Sequence, residues 1–271
     1  MLKVLTLGCL LSMAITTYAD VRLTVFNCGE LRFPDITAFG LANDATDVRE
    51  MFVPCYLVEH PKGRLLWDTG LPLGAAGQGD VALDDGSMRY ARSIVAQLAD
   101  RGLTPADIDL LALSHFHFDH AGGANAFADA TLLIQQTEYD AAFLHAQTNP
   151  VFDKTLYAAL ETSRKRLLNG DHDVFGDGTV RIVSAPGHTP GHQVLLLALK
   201  KNGPLMLSGD LYHFRASRTL RAVPVFNSSK EQSLASMAHV ESLLAATRAT
   251  FWIEHDMALA RTLKLSPAFY D

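Results

Sequence analysis

The sequence predicts an α+β fold in which two mixed β-sheets pack face to face and helices cover the outer faces. Short apolar runs rich in β-forming residues recur along the chain, and helical segments separate them. The runs follow the order strands, helices, strands, helix, strand, which suits two packed layers. The chain has 271 residues, of which 48% are hydrophobic, and no linker divides it, so we expect one domain with a sizeable buried core.

In the first half of the chain, apolar or alternating runs predict strands at residues 21–26, 52–58, 64–67, 110–113 and 131–134. Helical spacing of apolar side chains predicts a helix over 87–98. Thr104 followed by Pro105 predicts a short helix, because it combines an N-cap with proline at the first helical position.

In the second half, strands are predicted at residues 180–184, 193–199, 205–207 and 251–253. Helices are expected over 138–144 and 154–168, with the basic run at 164–166 on the solvated face of the second one. Ser229 and Gln232 form a capping-box pattern, which predicts a further helix that ends near Ala246.

The first nineteen residues resemble a secretory signal peptide. Lys3 precedes an almost wholly apolar run over 4–15, and Ala19 stands before Asp20. The run is shorter than the ~20 residues that span a bilayer, although a retained anchor is the alternative. We therefore expect cleavage after Ala19, a periplasmic or secreted domain of residues 20–271, and no stable membrane insertion afterwards.

Net charge bears on the type of partner, and cysteine content bears on whether a disulfide can form. The net charge is −6 and no basic stripe is present, so no nucleic-acid partner is expected. Cleavage would leave two cysteines, Cys28 and Cys55. In an oxidising compartment they could pair, and they could equally be two small buried apolar side chains.

The segment His115-Phe116-His117-Phe118-Asp119-His120 carries the strongest chemical signal. Three imidazoles and a carboxylate are costly to bury unless they are paired or bound to metal. Alternation along an extended chain puts His115 and His117 on one side, and the following turn can present Asp119 and His120 to a neighbouring position. One short segment can thus serve two metal ions. A histidine-rich surface loop is the competing interpretation.

Three further candidates follow apolar runs later in the chain: His188, Asp210 and His255. Each comes directly after a predicted strand, so each can reach the same end of the two sheets. Loops on a rigid scaffold commonly carry catalytic groups. His192, four residues after His188, is expected to support the loop or face the core.

The pattern HxHxDH, PGH, GD and a last histidine resembles the metallo-β-lactamase superfamily, whose αββα sandwich agrees with the predicted layers. The resemblance implies a first zinc on His115, His117 and His188, a second zinc on Asp119, His120 and His255, and Asp210 as the bridge between them. It also implies that Asp68 orients a metal ligand. Cobalt, manganese or iron would suit the same nitrogen and oxygen ligands.

Within the superfamily the chain looks most like the N-acyl homoserine lactonases, on the stretches CYLVEHPKGRLLWDTGLP, SHFHFDHAGGAN, APGHTPGHQ and SGDLYHF. Lactamase branches tend to carry cysteine or serine where this chain has Asp210. The resemblance implies a metal-dependent, quorum-quenching hydrolase, in which a metal-bound hydroxide opens a lactone ring.

The predicted catalytic residues are Asp119 and Tyr212. Related lactonases place a tyrosine three residues after the bridging aspartate, where this chain has His213. We expect the Tyr212 hydroxyl to contact the substrate carbonyl, with His213 as the alternative. Segments 33–53 and 214–226 are candidate walls for an acyl chain.

The same ligand pattern is compatible with other functions. The same fold hydrolyses β-lactams, aryl esters and phosphodiesters, and a zinc-dependent binding protein without turnover would use the same ligands. Seven ligands without cysteine favour catalysis, because structural zinc sites usually have four ligands and are often rich in cysteine. The expected partner is a small lactone or ester, and a homo-oligomer is neither required nor excluded.

Overall fold

The computed structural model describes residues 20–145 and 151–271 of the chain. The predicted signal peptide at residues 1–19 lies outside the described residues. The first sheet has eight strands in the order β4-β5-β1-β2-β3-β6-β7-β8. Its strands are β1 (Arg22–Arg32), β2 (Glu50–His60), β3 (Gly63–Trp67), β4 (Asp80–Ala82), β5 (Ser87–Arg89), β6 (Leu110–Ala112), β7 (Thr131–Gln135) and β8 (Lys165–Leu168).

The second sheet has five strands in the order β13-β12-β11-β10-β9. They are β9 (His172–Asp173), β10 (Val180–Ser184), β11 (Gln193–Leu199), β12 (Gly203–Leu207) and β13 (Thr250–Trp252). Both sheets are mixed, because β3, β6, β7 and β8 pair in parallel, as do β12 and β13, while the other pairs are antiparallel.

The α-helices are α1 (Ile94–Ala99), α2 (Phe118–Ala121), α3 (Gln136–Tyr139), α4 (Arg215–Leu220), α5 (Lys230–Thr247) and α6 (Met257–Ala260). Short 3-10 turns lie at Thr37–Phe39, Leu73–Ala75, Pro105–Asp107, Ala124–Phe127, Lys154–Leu156, Ala158–Glu161 and Gly209–Leu211, and a π-helical turn at Asp140–Leu144. Among the described residues, every helix is too short or too polar to span a bilayer.

Alternating side chains on each strand build the apolar layers. On β2, Leu57 faces the helices outside the first sheet, and Val58 faces the second sheet. On β11, Leu195 faces the first sheet and Val194 faces α5. Each large apolar side chain buried in this way contributes about 1.5–3 kcal/mol relative to its exposed state. The predicted sandwich of two mixed sheets with outer helices is confirmed.

Two predicted helices are wrong in extent or type. Residues 154–168 form two 3-10 turns and then strand β8, which pairs with β7, so the basic run at 164–166 leads into an edge strand. Residues 87–89 form β5, and α1 begins only after Ser93, whose side chain accepts a hydrogen bond from the Ala96 backbone N–H. Pairing with a distant strand overrides the local apolar spacing in both segments.

A disulfide joins Cys28 on β1 to Cys55 on β2, with 5.7 Å between the Cα atoms. It lies directly under the turn Asp68-Thr69-Gly70. A Cβ added at Gly70 would stand 2.3 Å from the Cβ of Cys28, and Gly70 has φ +71°, so only glycine fits there. The turn that carries Asp68 therefore rests on the cross-linked pair of strands.

Gln193, at the start of β11, connects the two sheets at the edge where the metal candidates lie. Its backbone N–H donates to the Ser114 carbonyl at 3.0 Å, and its side-chain amide donates to the Leu113 carbonyl at 2.9 Å. The chain therefore enters the His115–His120 segment at a position fixed by the second sheet.

Candidate metal centre

The seven predicted metal ligands come together at one edge of the sandwich. The segment after β6 supplies four of them, and the other three follow β10, β12 and β13. All seven side chains are at most 8% exposed: His115, His117, Asp119, His120, His188, Asp210 and His255. The seven side chains are therefore buried together, which rules out a histidine-rich surface loop.

Three imidazoles and one carboxylate oxygen form the first half of the centre, here called subsite A. It consists of His115 Nε2, His117 Nδ1, His188 Nε2 and Asp210 Oδ2. His188 Nε2 lies 3.1 Å from His115 Nε2 and 3.0 Å from His117 Nδ1. Asp210 Oδ2 lies 3.2 Å from His188 Nε2. Donor atoms that share one ion at ~2.1 Å stand roughly 3–3.5 Å apart, so this spacing fits a metal.

The second half, subsite B, consists of Asp119, His120, His255 and the other oxygen of Asp210. Asp210 Oδ1 lies 3.1 Å from His120 Nε2 and 2.9 Å from His255 Nε2. Asp119 Oδ2 lies 3.6 Å from His255 Nε2. Because the two oxygens of Asp210 face different subsites, one carboxylate can bridge two cations.

For His255 and His188, the ring nitrogen that faces away from the centre has a hydrogen-bond partner, and this shows which nitrogen can bind a metal. His255 Nδ1 donates to the Phe52 carbonyl at 2.8 Å, and His188 Nδ1 lies 2.9 Å from the side-chain oxygen of Asn227. An acceptor at the outer nitrogen holds the proton there, so Nε2 presents its lone pair to the centre. Sequence reasoning did not single out Asn227, which no ligand motif marks.

Asp68 serves both subsites through one hydrogen-bond network. Its Oδ2 accepts from His120 Nδ1 at 2.9 Å and from the Ser114 hydroxyl at 2.9 Å. Its Oδ1 accepts from the Ser114 backbone N–H at 2.6 Å. The Ser114 hydroxyl in turn accepts from His115 Nδ1 at 3.0 Å. Asp68 thus orients His120 directly and His115 through Ser114, a residue that sequence analysis quoted without a role.

Buried atoms without hydrogen-bond partners test whether the residues fit a metal. His120 Nε2, His255 Nε2 and Asp210 Oδ1 are all buried and have no hydrogen-bond partner among the residues that the structure describes. With the outer nitrogens protonated, these atoms turn lone pairs toward one another, which is unfavourable unless a proton or a cation lies between them. Nitrogen and oxygen donors in this arrangement suit zinc and related divalent ions.

The electrostatics of the two subsites differ. Burial and the neighbouring imidazoles hold the pKa values of His115 and His117 well below the usual value. Burial also opposes the charged forms of His120 and His255, but the nearby carboxylates outweigh it. They raise the pKa of His120 well above its usual value and that of His255 to about 9.

His192 supports Asp210 from behind. Its Nδ1 donates to the Ala185 carbonyl at 2.9 Å, and its Nε2 accepts the Asp210 backbone N–H at 2.9 Å. Burial lowers the pKa of His192 to about 3, so the ring stays neutral and can accept that hydrogen bond. The expected supporting role of His192 in the loop agrees with these contacts.

The Tyr212 side chain points away from the centre, whereas the sequence led us to expect its hydroxyl at the substrate carbonyl. The backbone at Tyr212 is extended, with φ −143° and ψ 131°, so Tyr212 and His213 project to opposite sides. The Tyr212 hydroxyl donates to Glu241 on α5 at 3.3 Å, away from the centre. His213 faces it instead, with Nε2 at 3.1 Å from Asp210 Oδ2. The sequence left this choice open, because it depends on the backbone angles of a single residue.

Aromatic side chains form a wall beside His213 and subsite A. The Phe39 ring contacts His213, Phe214 and Phe226 edge to face, at centroid distances of 5.0–5.5 Å. Phe226 also lies 5.9 Å from the ring of His188. Phe39 and Phe226 belong to segments 33–53 and 214–226, the candidate walls for an acyl chain; Phe39 is buried and Phe226 is partly buried.

A family model and the most similar relatives that were compared point to the same family. The model of the metallo-beta-lactamase superfamily matches residues 48–250. The N-acyl homoserine lactonase AttM of Azorhizobium caulinodans is 32% identical over 268 residues, covering 93% of this chain and 99% of that protein. An N-acyl homoserine lactonase of a Bacillus species is 30% identical over 232 residues, covering 82% of this chain and 88% of the relative.

Solved structures agree with this result. An N-acyl homoserine lactone hydrolase with the product N-hexanoyl-L-homoserine at its catalytic metal centre superimposes with a TM-score of 0.77 at 26% identity, covering 92% of this chain and 98% of that chain. The dizinc quorum-quenching lactonase AidC has the same fold, with a TM-score of 0.68 at 19% identity, covering 93% and 94%. This chain therefore belongs to the metallo-beta-lactamase superfamily, in its N-acyl homoserine lactonase-like branch.

Proposed function

We propose that this protein is a metal-dependent hydrolase that holds two zinc ions and opens the lactone ring of N-acyl homoserine lactones. The observation that carries the proposal is the division of Asp210 between two sets of buried ligands, with Oδ2 in subsite A and Oδ1 in subsite B. Relatives named as N-acyl homoserine lactonases that match over 82–93% of the chain support the substrate class.

Divalent ions held by these residues would supply Lewis-acid activation of a water molecule and of the lactone carbonyl. The protein residues provide the geometry for this chemistry. Asp210 and Asp119 bring negative charge to a buried site, and Asp68 holds the rings of His120 and His115 in fixed orientations. No nucleophilic side chain is needed, because water is the attacking group.

The aromatic wall supports an acylated substrate. Phe226, a partly buried ring beside His188 of subsite A, packs on the buried Phe39 ring and presents apolar surface next to the polar centre. An acyl chain that packs there would lose contact with water and place its amide and lactone toward the ligands. His213 would lie beside the reacting carbonyl, with its Nε2–H directed to Asp210 Oδ2.

The test is ring opening itself. Zinc-loaded protein would be mixed with a long-chain N-acyl homoserine lactone, and proton release would be followed at constant pH. Asp119→Ala should lower the rate by at least about a thousandfold, because several kcal/mol of Lewis-acid stabilisation depend on an intact metal pair.

Asp129→Ala, which removes an exposed carboxylate outside the centre, serves as the matched control and should keep the parent rate. Absence of ring opening by fully metallated protein would reject the lactonase proposal. β-Lactam, aryl ester and phosphodiester substrates would then be tested on the same protein.

We also propose that the protein is exported and acts in the periplasm or outside the cell. The signal-peptide pattern at residues 1–19 supports export, and so does the Cys28–Cys55 disulfide, since disulfides persist in oxidising compartments. N-terminal sequencing of protein from the periplasmic and secreted fractions should begin at Asp20. Protein found only in the cytoplasm, and starting at Met1, would contradict this proposal.

A further inference from the structure

Glu138 is a fully buried carboxylate that lies outside the metal ligand set. It stands in α3, directly after β7, and its side chain is 0% exposed. Its Oε1 accepts the backbone N–H of Phe116 at 3.0 Å, and its Oε2 accepts the backbone N–H of Gly191 at 2.8 Å. A single carboxylate therefore joins two segments that are distant in sequence.

The two segments carry the three imidazoles of subsite A. Phe116 lies between His115 and His117, and Gly191 lies three residues after His188. The contact at Gly191 is close, because a Cβ built there would stand 2.5 Å from the Cβ of Glu138. Glu138 thus fixes the distance between the backbone of His115 and His117 and the backbone of the loop with His188.

A carboxylate suits this position better than an amide. Each oxygen of Glu138 accepts one backbone N–H, so both acceptors are used. A glutamine of the same shape offers one oxygen and one NH₂ group, and the NH₂ group would face a second N–H donor. A buried N–H left without an acceptor is costly, so the amide would push the two segments apart.

We propose that Glu138 is a positioning residue for subsite A, which holds His115, His117 and His188 at metal-binding distance by clamping the two segments that carry them. This inference rests on the metal centre in the proposed function, and it does not depend on the identity of the substrate. Subsite B has its own supports, since His120 is held by Asp68 and His255 by the Phe52 carbonyl.

Zinc affinity would be measured by competition with a chromophoric chelator, with Glu138→Gln placed in two backgrounds. Asp119→Ala disables subsite B and leaves subsite A, whereas His117→Ala disables subsite A and leaves subsite B. We expect Glu138→Gln to weaken the remaining site about 10–100-fold in the first background, the usual range for a lost outer-shell partner, and less than about twofold in the second.

Thr137→Val is the matched control. It removes a hydrogen bond from Thr137 Oγ1 to the Pro190 carbonyl in the same loop, but it leaves the contact between Glu138 and Phe116 in place. We expect it to keep the parent zinc affinity in both backgrounds. Cobalt-substituted Glu138→Gln protein should also show a changed visible absorption spectrum, which reports the ligand geometry independently of lactone hydrolysis.

Glu138→Asp provides a second variant if Glu138→Gln does not fold. It keeps the charge but is one methylene shorter, so it cannot reach both N–H groups, and the same selective weakening is expected. Equal weakening in both backgrounds would show a general loss of stability and would overturn the proposal. Unchanged affinity in the Asp119→Ala background would also overturn it.

Discussion

Subsites A and B share Asp210 and lie next to each other, but they are built differently. Subsite A contains three imidazoles on two loops, and its His115 and His117 have pKa values held well below the usual value. Subsite B combines two imidazoles with Asp119, and its carboxylates raise the pKa values of His120 and His255. The imidazoles of subsite A are therefore neutral and can bind a cation directly. In subsite B the imidazoles hold protons, and a cation must displace them.

The largest effect is expected from Asp210, the ligand that both subsites use. In Asp210→Asn only one side-chain oxygen is left, so one carboxylate no longer serves two ions. We expect zinc binding to weaken in both subsites and lactone hydrolysis to fall by at least about a thousandfold, as several kcal/mol of stabilisation is lost. Metal analysis after dialysis, together with the rate of proton release, would check this. Retention of two zinc ions at the parent affinity would show that Asp210 is not a bridge.

Asp68→Asn should separate the subsites. The single oxygen of asparagine is needed by the Ser114 backbone N–H, so His120 Nδ1 loses the carboxylate and keeps only the Ser114 hydroxyl at 3.1 Å, whereas His115 never contacts Asp68 directly. We expect the zinc affinity of subsite B to fall about 10–100-fold and that of subsite A to change less. Chelator competition in the Asp119→Ala and His117→Ala backgrounds would measure each site separately. A larger loss in subsite A would reverse the assignment of Asp68.

Metal binding should depend on pH in subsite B more than in subsite A. His255 has its pKa raised to about 9 in the metal-free centre, so at pH 7 an incoming cation must displace its proton. Affinity of B should therefore rise with pH between about 7 and 9, by up to about tenfold per pH unit for each proton displaced. Over the same pH range the metal affinity of subsite A should stay nearly constant, because His115 and His117 are already neutral. Calorimetric zinc titration in buffers of different ionisation enthalpy would measure the number of protons that are released when zinc binds.

The smallest effect is expected at Tyr212, whose hydroxyl contacts Glu241 and faces away from both subsites. Tyr212→Phe should change the rate of lactone hydrolysis by less than about twofold, whereas His213→Phe should lower it, because it removes the N–H that contacts Asp210 Oδ2. Steady-state kinetics on both variants would compare them. A strong loss of activity in Tyr212→Phe with intact folding would indicate that the Tyr212 hydroxyl does contact the substrate.

The sequence was sufficient to group the seven candidate ligands but not to identify the residues that hold them in place. His115 to His120 form a motif with fixed spacing directly after a buried strand, and strand β11 at Gln193–Leu199 was predicted with its observed bounds. Support from Glu138 and Asn227 depends on contacts between residues 22–53 positions apart, and no local pattern records these. The 154–168 segment was mispredicted for the same reason, because β8 exists only through its pairing with β7.

Whether lactone hydrolysis needs both subsites is tested by measuring it while metal-free protein receives zinc in steps from zero to two equivalents. Proton release would give the rate, and chelator competition would give the bound zinc at each step. If both subsites are needed, the protein should show little activity with the first equivalent of zinc and full activity once the second is bound. Full activity at one equivalent, or a single bound zinc at saturation, would contradict the need for both subsites.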